Sequence, residues 1–211
     1  MGILVATTNP GKINELTALL GRAVNLVGLD HFKGLDDIKE DGKTFAENAR
    51  KKATGYAKET GLWTIADDSG LVIDALDGAP GVKSARFSGP KLEGDKRTLI
   101  DHRNIAKVLE LLKGIPSEKR SARFVCSLCL ASPEKILIET QGTLEGFITN
   151  REIGKNGFGY DPIFFVPALN KTVAQLTAQE KNAISHRGNA VRELKPLLEK
   201  LLEAQQQGGK G

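Results

Sequence analysis

Residues 3–20 read ILVATTNPGKINELTALL, and the change of period inside this stretch sets the fold class. Residues 3–7 form a short apolar run of strand length. Asn9, Pro10, Gly11 and Lys12 make a turn, because Asn, Pro and Gly each favour turn conformations for their own steric or hydrogen-bonding reason. From Ile13 the apolar residues recur at helical spacing, through Leu16, Leu19 and Leu20. The chain therefore opens strand–turn–helix. Residues 24–29 read as a second strand. Thr44 and Glu47 have the Thr-x-x-Glu spacing of a capping box, and Phe45, Ala49, Ala53, Tyr56 and Ala57 form the apolar face of the helix that follows. Residues 63–67 read as a strand that ends at the acids Asp67 and Asp68. Residues 71–76 and 84–87 are short extended pieces. Residues 96–113 are helical through Ile105, Val108, Leu109 and Leu112. Three successive strands are expected at 121–132, 135–142 and 143–149, antiparallel across the tight link at Pro133-Glu134. A closing helix is expected at 190–205, with a flexible tail at 206–211. Strands and helices interleaved in this way indicate an α/β protein with a mixed sheet.

The chain has 211 residues, 40% hydrophobic and 27% charged, which suits one large domain or two closely joined lobes. The formal net charge of +4 fits an anionic ligand such as a nucleotide and is too small to require nucleic acid. Aromatics are only 5%, with one Trp, which argues against a platform for stacking single-stranded bases. No segment approaches the roughly 20 apolar residues of a membrane span. The first apolar run is too short for a signal peptide, and Ala6 stands where myristoylation of Gly2 would call for Ser or Thr. A cytoplasmic protein without membrane or nucleic-acid partners is expected. Cys126 and Cys129 lie three apart in a strand, so they face opposite ways. With no second Cys pair, they read as core thiols rather than as half a zinc site or a redox pair.

Four stretches carry candidate chemistry. Thr7, Thr8, Asn9, Pro10, Gly11 and Lys12 lie where a strand turns into a helix, and the N–H groups at a helix start bind anions. Lys12 opposes the helix dipole there, so a phosphate would compensate it. The alternative is an ordinary turn with an exposed lysine. The spacing is not that of a Walker A loop. Asp67 and Asp68 point to opposite faces of a strand. One can be held structurally while the other faces a divalent cation, and Glu40 offers a second carboxylate. Magnesium needs only one or two protein carboxylates when phosphates and waters complete its shell. The alternatives are an Asx-capped turn at Ser69-Gly70 and a solvated Glu40. Phe158, Gly159, Tyr160 and Asp161 combine a glycine backbone, aromatic faces and an acceptor, which suits a flat base, or else a glycine loop with its aromatics in the core. Lys181, His186 and Arg187 bring donors near a helix start, which suits a carbonyl on a base edge, or else form a basic surface turn.

Taken together, residues 6–12 (ATTNPGK), 40–49 (EDGKTFAENA), 66–89 (ADDSGLVIDALDGAPGVKSARFSG), 157–164 (GFGYDPIF) and 180–188 (EKNAISHRG) resemble the inosine/xanthosine triphosphate pyrophosphatase family. The least distinctive region is 90–120, which carries no motif. The resemblance implies an elongated mixed sheet with flanking helices and two lobes around a central nucleotide-binding cleft, within one domain over 1–205. It implies a homodimer that uses Mg2+, with Mn2+ as an alternative. It also implies roles: Thr7 to Lys12 for the triphosphate, Glu40 and Asp68 at the metal, Asp68 as general base, and Ser69 near the substrate. Phe158 to Asp161, Lys181, His186 and Arg187 would hold the nucleoside. The implied reaction releases pyrophosphate and a nucleoside monophosphate after water attacks the α-phosphorus. Donors facing the base would accept the 6-keto group of hypoxanthine or xanthine and reject the 6-amino group of adenine, at about 1–3 kcal/mol per mismatched group. A nucleotide pyrophosphatase of different base preference is the alternative within enzymes. A nucleic-acid binding protein is the alternative outside them.

Overall fold

The structure is a computed structural model and describes residues 2–21, 24–90 and 92–208, without the side chains of 206–208. Its principal elements are β1 (Gly2–Val5), α1 (Pro10–Leu20), β2 (Asn25–Gly28), α2 (Phe45–Thr60), β3 (Trp63–Ile73), α3 (Arg97–Leu111), β4 (Ser121–Ala131), β5 (Ile136–Ile148), β6 (Phe164–Val166), β7 (Lys171–Thr172), α4 (Ala178–Ile184) and α5 (His186–Gly208). The strands form a seven-stranded sheet in the order β2-β1-β3-β4-β5-β6-β7. β1 pairs in parallel with both β2 and β3, with Leu4 opposite Val27 on one side and Thr64 on the other. β6 pairs antiparallel with β5 and with β7. The sheet is therefore mixed, and the fold class is α/β.

Contacts divide the chain into two compact units, residues 1–68, 126–142 and 186–211, and residues 69–125 and 143–185. In the first unit, side chains alternate between two cores with the period of a strand. Ile3, Val5 and Ile65 join Cys126, Leu128, Leu130 and the α5 residues Val191 and Leu194. Leu4, Ala6 and Ala66 join Cys129, Ala131 and the α2 residues Ala49, Ala53 and Ala57. So α1 and α5 cover one face of the sheet and α2 covers the other. The two cysteines, both free and buried, fall on opposite faces as their spacing requires. Gly142 lets α5 lie close to β5, since a Cβ there would stand 2.2 Å from the His186 carbonyl oxygen and 2.4 Å from the Ala190 nitrogen. The second unit has its own core of Leu71, Ile73, Ile105, Val108, Phe124 and Ile163, in which Phe124 stacks on Phe164 at 4.4 Å between centroids.

Several elements depart from the sequence reading. β3 does not stop at the acids but runs through Asp67, Asp68, Ser69 and Gly70 to Ile73. Gly70 permits this, because the short helical turn at Gly81–Arg86 presses on it. A Cβ at 70 would meet Ser84 Oγ at 2.3 Å, and that hydroxyl accepts the Leu71 N–H at 2.9 Å. Residues 84–87, expected to be extended, belong largely to that turn. β5 is one strand where two were expected. α4 was not foreseen, although Thr177 and Glu180 form a reciprocal capping box there. At α2 only half the expected box is present. Thr44 accepts the Glu47 N–H at 3.1 Å, but Glu47 returns to the N–H of Lys43, at 2.7 Å. α5 begins at His186 and continues to Gly208, past the expected end at 205, while residues 209–211 of the expected tail lie outside the described residues. Among the described residues no helix is long and apolar enough to cross a membrane.

Candidate active site

The turn at 7–12 is ordered by its own polar groups. The Thr7 N–H donates to the Val5 carbonyl at 2.9 Å, and the Asn9 N–H donates to Thr7 Oγ1 at 3.2 Å. Asn9 is the N-cap of α1: its Oδ1 accepts the Gly11 N–H at 3.0 Å, and Pro10 occupies the first turn, where it lacks no intrahelical bond. Thr8 and Pro10 are exposed, whereas Lys12 is partly covered and turns toward β3.

The two acids of β3 serve opposite faces of the sheet. Asp67 lies on the side of α1 and α5, and its side chain is 0% exposed. Lys12 Nζ stands 2.5 Å from its Oδ1. The Arg187 guanidinium donates through Nε to Oδ2 at 2.7 Å and through Nη2 to Oδ1 at 3.4 Å. The Cys126 thiol donates to Oδ2 at 3.1 Å. Burial pushes the Asp67 pKa up, but Arg187 and Lys12 outweigh it and hold the carboxyl well below the usual range. Arg187 is itself buried and also pairs with Glu15 of α1. Burial opposes its charge, yet Asp67 and Glu15 leave its pKa raised.

Asp68 lies on the α2 side. Asn48 Nδ2 donates to its Oδ2 at 3.0 Å, and Asn48 is fixed in turn by accepting the Gly42 N–H at 2.8 Å. Lys52 Nζ lies 3.9 Å from Asp68 Oδ1 and 3.0 Å from Glu40 Oε2, and it donates to the Asp67 carbonyl at 2.8 Å. Burial raises the Asp68 pKa, against the opposing effects of Lys52, Lys12 and Asn48. Asp68 is thus the more basic of the two acids. Among the described residues no group of three or more His, Cys, Asp or Glu side chains is placed to hold a metal ion. The pair Glu40 and Asp68, converging on one ammonium group, still fits the chemistry of magnesium, which needs few protein ligands when phosphate oxygens and waters supply the rest.

In the second unit Ser69 is half-buried in β3. Residues 157–161 form a tight loop in which Gly157 and Gly159 have φ values of 77° and 61°, the left-handed region open to glycine. Asp161, almost fully buried, accepts the Phe158 N–H at 2.9 Å and pairs with Lys181 of α4. The Lys181 ammonium sits 4.5 Å from the Phe158 ring centroid. Tyr160 donates its hydroxyl to the Ser84 carbonyl at 2.9 Å, and burial raises its pKa.

Of the three donors of residues 181–187, Lys181 and Arg187 each have their own partners within their unit. Lys181 belongs with Phe158 and Asp161. Arg187 belongs with Asp67, Glu15 and Lys12, while His186 is buried at the start of α5. Asn48, Lys52 and Glu15 escaped the sequence reading. Their signal was available for α2: Asn48 and Lys52 repeat at i, i+4 with Tyr56 inside an otherwise apolar stripe, and a polar residue on a buried face needs a partner. Glu15 carried no such mark.

The model of the Ham1 family matches residues 3–197. The chain is 47% identical over 192 residues to a dITP/XTP pyrophosphatase of Halalkalibacterium halodurans, covering 90% of this chain and 95% of that one. It is 44% identical over 202 residues to a dITP/XTP pyrophosphatase of Desulforamulus reducens, covering 95% and 97%. Among solved structures, the Ham1 protein of Coxiella burnetii superimposes with a TM-score of 0.83 at 42% identity, covering 95% of this chain and 99% of that one. The Staphylococcus aureus Ham1 protein does so with a TM-score of 0.82 at 40% identity and the same coverage.

Proposed function

The chain belongs to the Ham1 family, and from that premise we propose that it is a nucleoside triphosphate pyrophosphatase. It hydrolyses non-standard purine nucleoside triphosphates, those of inosine, deoxyinosine and xanthosine, to the monophosphate and pyrophosphate. The observation that carries this reading is the 44–47% identity to dITP/XTP pyrophosphatases over nearly the full length of both partners. The division of labour between Asp67 and Asp68 supports it.

Asp68 acts as general base toward the attacking water. Its burial raises its proton affinity above that of an ordinary carboxylate. Asn48 holds one carboxylate oxygen by donating to it. Glu40 and Asp68 would hold Mg2+, with Mn2+ as a substitute, and the bound ion would supply positive charge to the phosphates and acidify its water. Lys52 keeps the two carboxylates compatible by placing an ammonium beside both. Asp67 holds Lys12 and Arg187 in place from the other face. Lys12 and the start of α1 supply positive charge to the triphosphate, which has to be neutralised as pyrophosphate leaves. In the second unit, Phe158 offers a face for the base, and the Asp161–Lys181 pair fixes the loop that presents it. Ser69 and His186 complete the contacts that the family resemblance implies. A homodimer and a cytoplasmic location are part of the same reading.

The test is incubation with inosine triphosphate and magnesium, with the products identified. Pyrophosphate and inosine monophosphate are expected; orthophosphate and the diphosphate would refute attack at the α-phosphorus. A panel including pyrimidine and adenine nucleotides separates this reading from a pyrophosphatase of different base preference.

A further inference from the structure

The loop at 157–161 is held by a residue from the stretch 90–120, which carries no motif. Asp101 lies in the second turn of α3, in the second unit with the loop. Its Oδ2 accepts the Gly159 N–H at 2.9 Å, and its Oδ1 accepts from Arg97 Nε at 3.0 Å, one helical turn earlier. Its side chain is 13% exposed, while that of Arg97 is 44% exposed. Asp101 therefore places a carboxylate, oriented by an exposed arginine, against the backbone of the loop.

Gly159 is where such a hold matters most. Its φ of 61° lies in the region that glycine adopts without strain, and the space where a Cβ would stand is open. Glycine in this region exchanges readily with other conformations. The Phe158 carbonyl of the Phe158–Gly159 peptide accepts the Asp161 N–H at 3.3 Å, and rotation of the peptide would break that bond and turn the carbonyl oxygen toward Asp101 in place of the N–H. A carboxylate repels that oxygen and binds the N–H through a charge-assisted hydrogen bond. One orientation is thereby selected, and with it the direction of the Phe158 ring, which Lys181 covers at 4.5 Å. The Gly159 N–H is also engaged in this way, and the Phe158 N–H is engaged by Asp161. The loop consequently presents an aromatic face rather than those two donors.

We propose that Asp101 is a positioning residue for nucleoside binding: by holding the Gly159 N–H it keeps the 157–161 loop in the arrangement that receives the base. The proposal rests on the reading of this chain as a nucleoside triphosphate pyrophosphatase. Loss of a hydrogen bond to a charged group changes an equilibrium by roughly 10- to 100-fold. Asp101→Ala is expected to raise KM for inosine triphosphate by that factor, with kcat within about 3-fold. Inhibition by pyrophosphate, which has no base, stays unchanged. Asp101→Asn retains an acceptor for the N–H and is expected to restore KM to within about 5-fold of the unaltered enzyme. The backbone amide of Gly159, followed by nitrogen-15 NMR, shifts and exchanges faster in Asp101→Ala and not in Asp101→Asn. This amide readout and the KM-against-kcat split separate positioning from general loosening, which would move pyrophosphate inhibition as well. An unmoved KM in a folded Asp101→Ala enzyme, or a parallel change in pyrophosphate inhibition, overturns the proposal alone. If Asp101→Ala does not fold, a KM raised about 10-fold or more in Asp101→Asn, with its amide acceptor intact, overturns it too. No turnover of inosine triphosphate by the unaltered enzyme removes the underlying reading and the proposal with it.

Discussion

Replacing Arg187 by methionine isolates the buried charge cluster, because Met keeps most of the side-chain length while removing the guanidinium. Asp67 is 0% and Arg187 1% exposed at the side chain, and they meet at 2.7 Å. Unit charges about 4 Å apart at an effective dielectric constant of about 20 interact by about 4 kcal/mol. Removing one partner of a buried pair costs about 3–5 kcal/mol, because the other charge stays buried. Lys12 remains beside Asp67, so the lower end, about 3 kcal/mol, is expected. For a chain of this size that lowers the melting temperature by about 6–12 °C. Asp67 has its carboxyl held well below the usual range in the folded state. The stability it contributes is therefore complete above its unfolded pKa of about 3.9 and is lost as the pH falls through the folded value. The difference between the unaltered protein and Arg187→Met should accordingly persist from pH 8 to 5 and shrink in stronger acid. Urea unfolding of Arg187→Met, Asp67→Asn and the double variant completes the cycle, with an expected coupling above about 1.5 kcal/mol. A loss below about 1 kcal/mol for Arg187→Met, or additive single changes, would refute the assignment of Arg187 as the main counter-charge to Asp67.

Asp68→Asn is expected to abolish turnover while leaving the metal-free melting temperature at neutral pH equal to or above that of the unaltered protein. Burial makes the ionised carboxyl unfavourable there, and a large fall in melting temperature would show Asp68 to be structural. Burial and then Glu139 push the Cys129 thiol up to about 12, and burial and then Asp67 hold that of Cys126 well above its usual value. A chromogenic disulfide should therefore titrate neither thiol in the folded protein at pH 8 and both after denaturation; rapid reaction of the native protein would contradict the buried placement. Gly142→Ala should destabilise by about 1–3 kcal/mol and lower activity, because α5 must move away from β5 and carries Arg187 with it; unchanged melting and turnover would show that the helix approaches less closely.

The sequence by itself determined what depends on neighbours one to four residues apart. The strand–turn–helix at 3–20, the apolar face of α2, and the opposed directions of Asp67 from Asp68 and of Cys126 from Cys129 all follow from periods of 2 and 3.6 residues. The candidacy of Asp68 followed from the same period of 2. The tertiary structure decided what depends on elements far apart in the chain. Arg187 meets Asp67 across 120 positions, and Lys12 does so across 55. Neither pairing can be read until β1, β3 and α5 are stacked. The same holds for β3, whose continuation through two acids depends on Gly70 receiving the turn at 81–86, and for Lys52 between Glu40 and Asp68. A carboxylate's proton affinity is set by burial and by charges brought near it in space. The sequence names the two acids, and only the packed sheet, with α1 and α5 on one face and α2 on the other, holds the Asp67 carboxyl well below the usual range and pushes that of Asp68 above it.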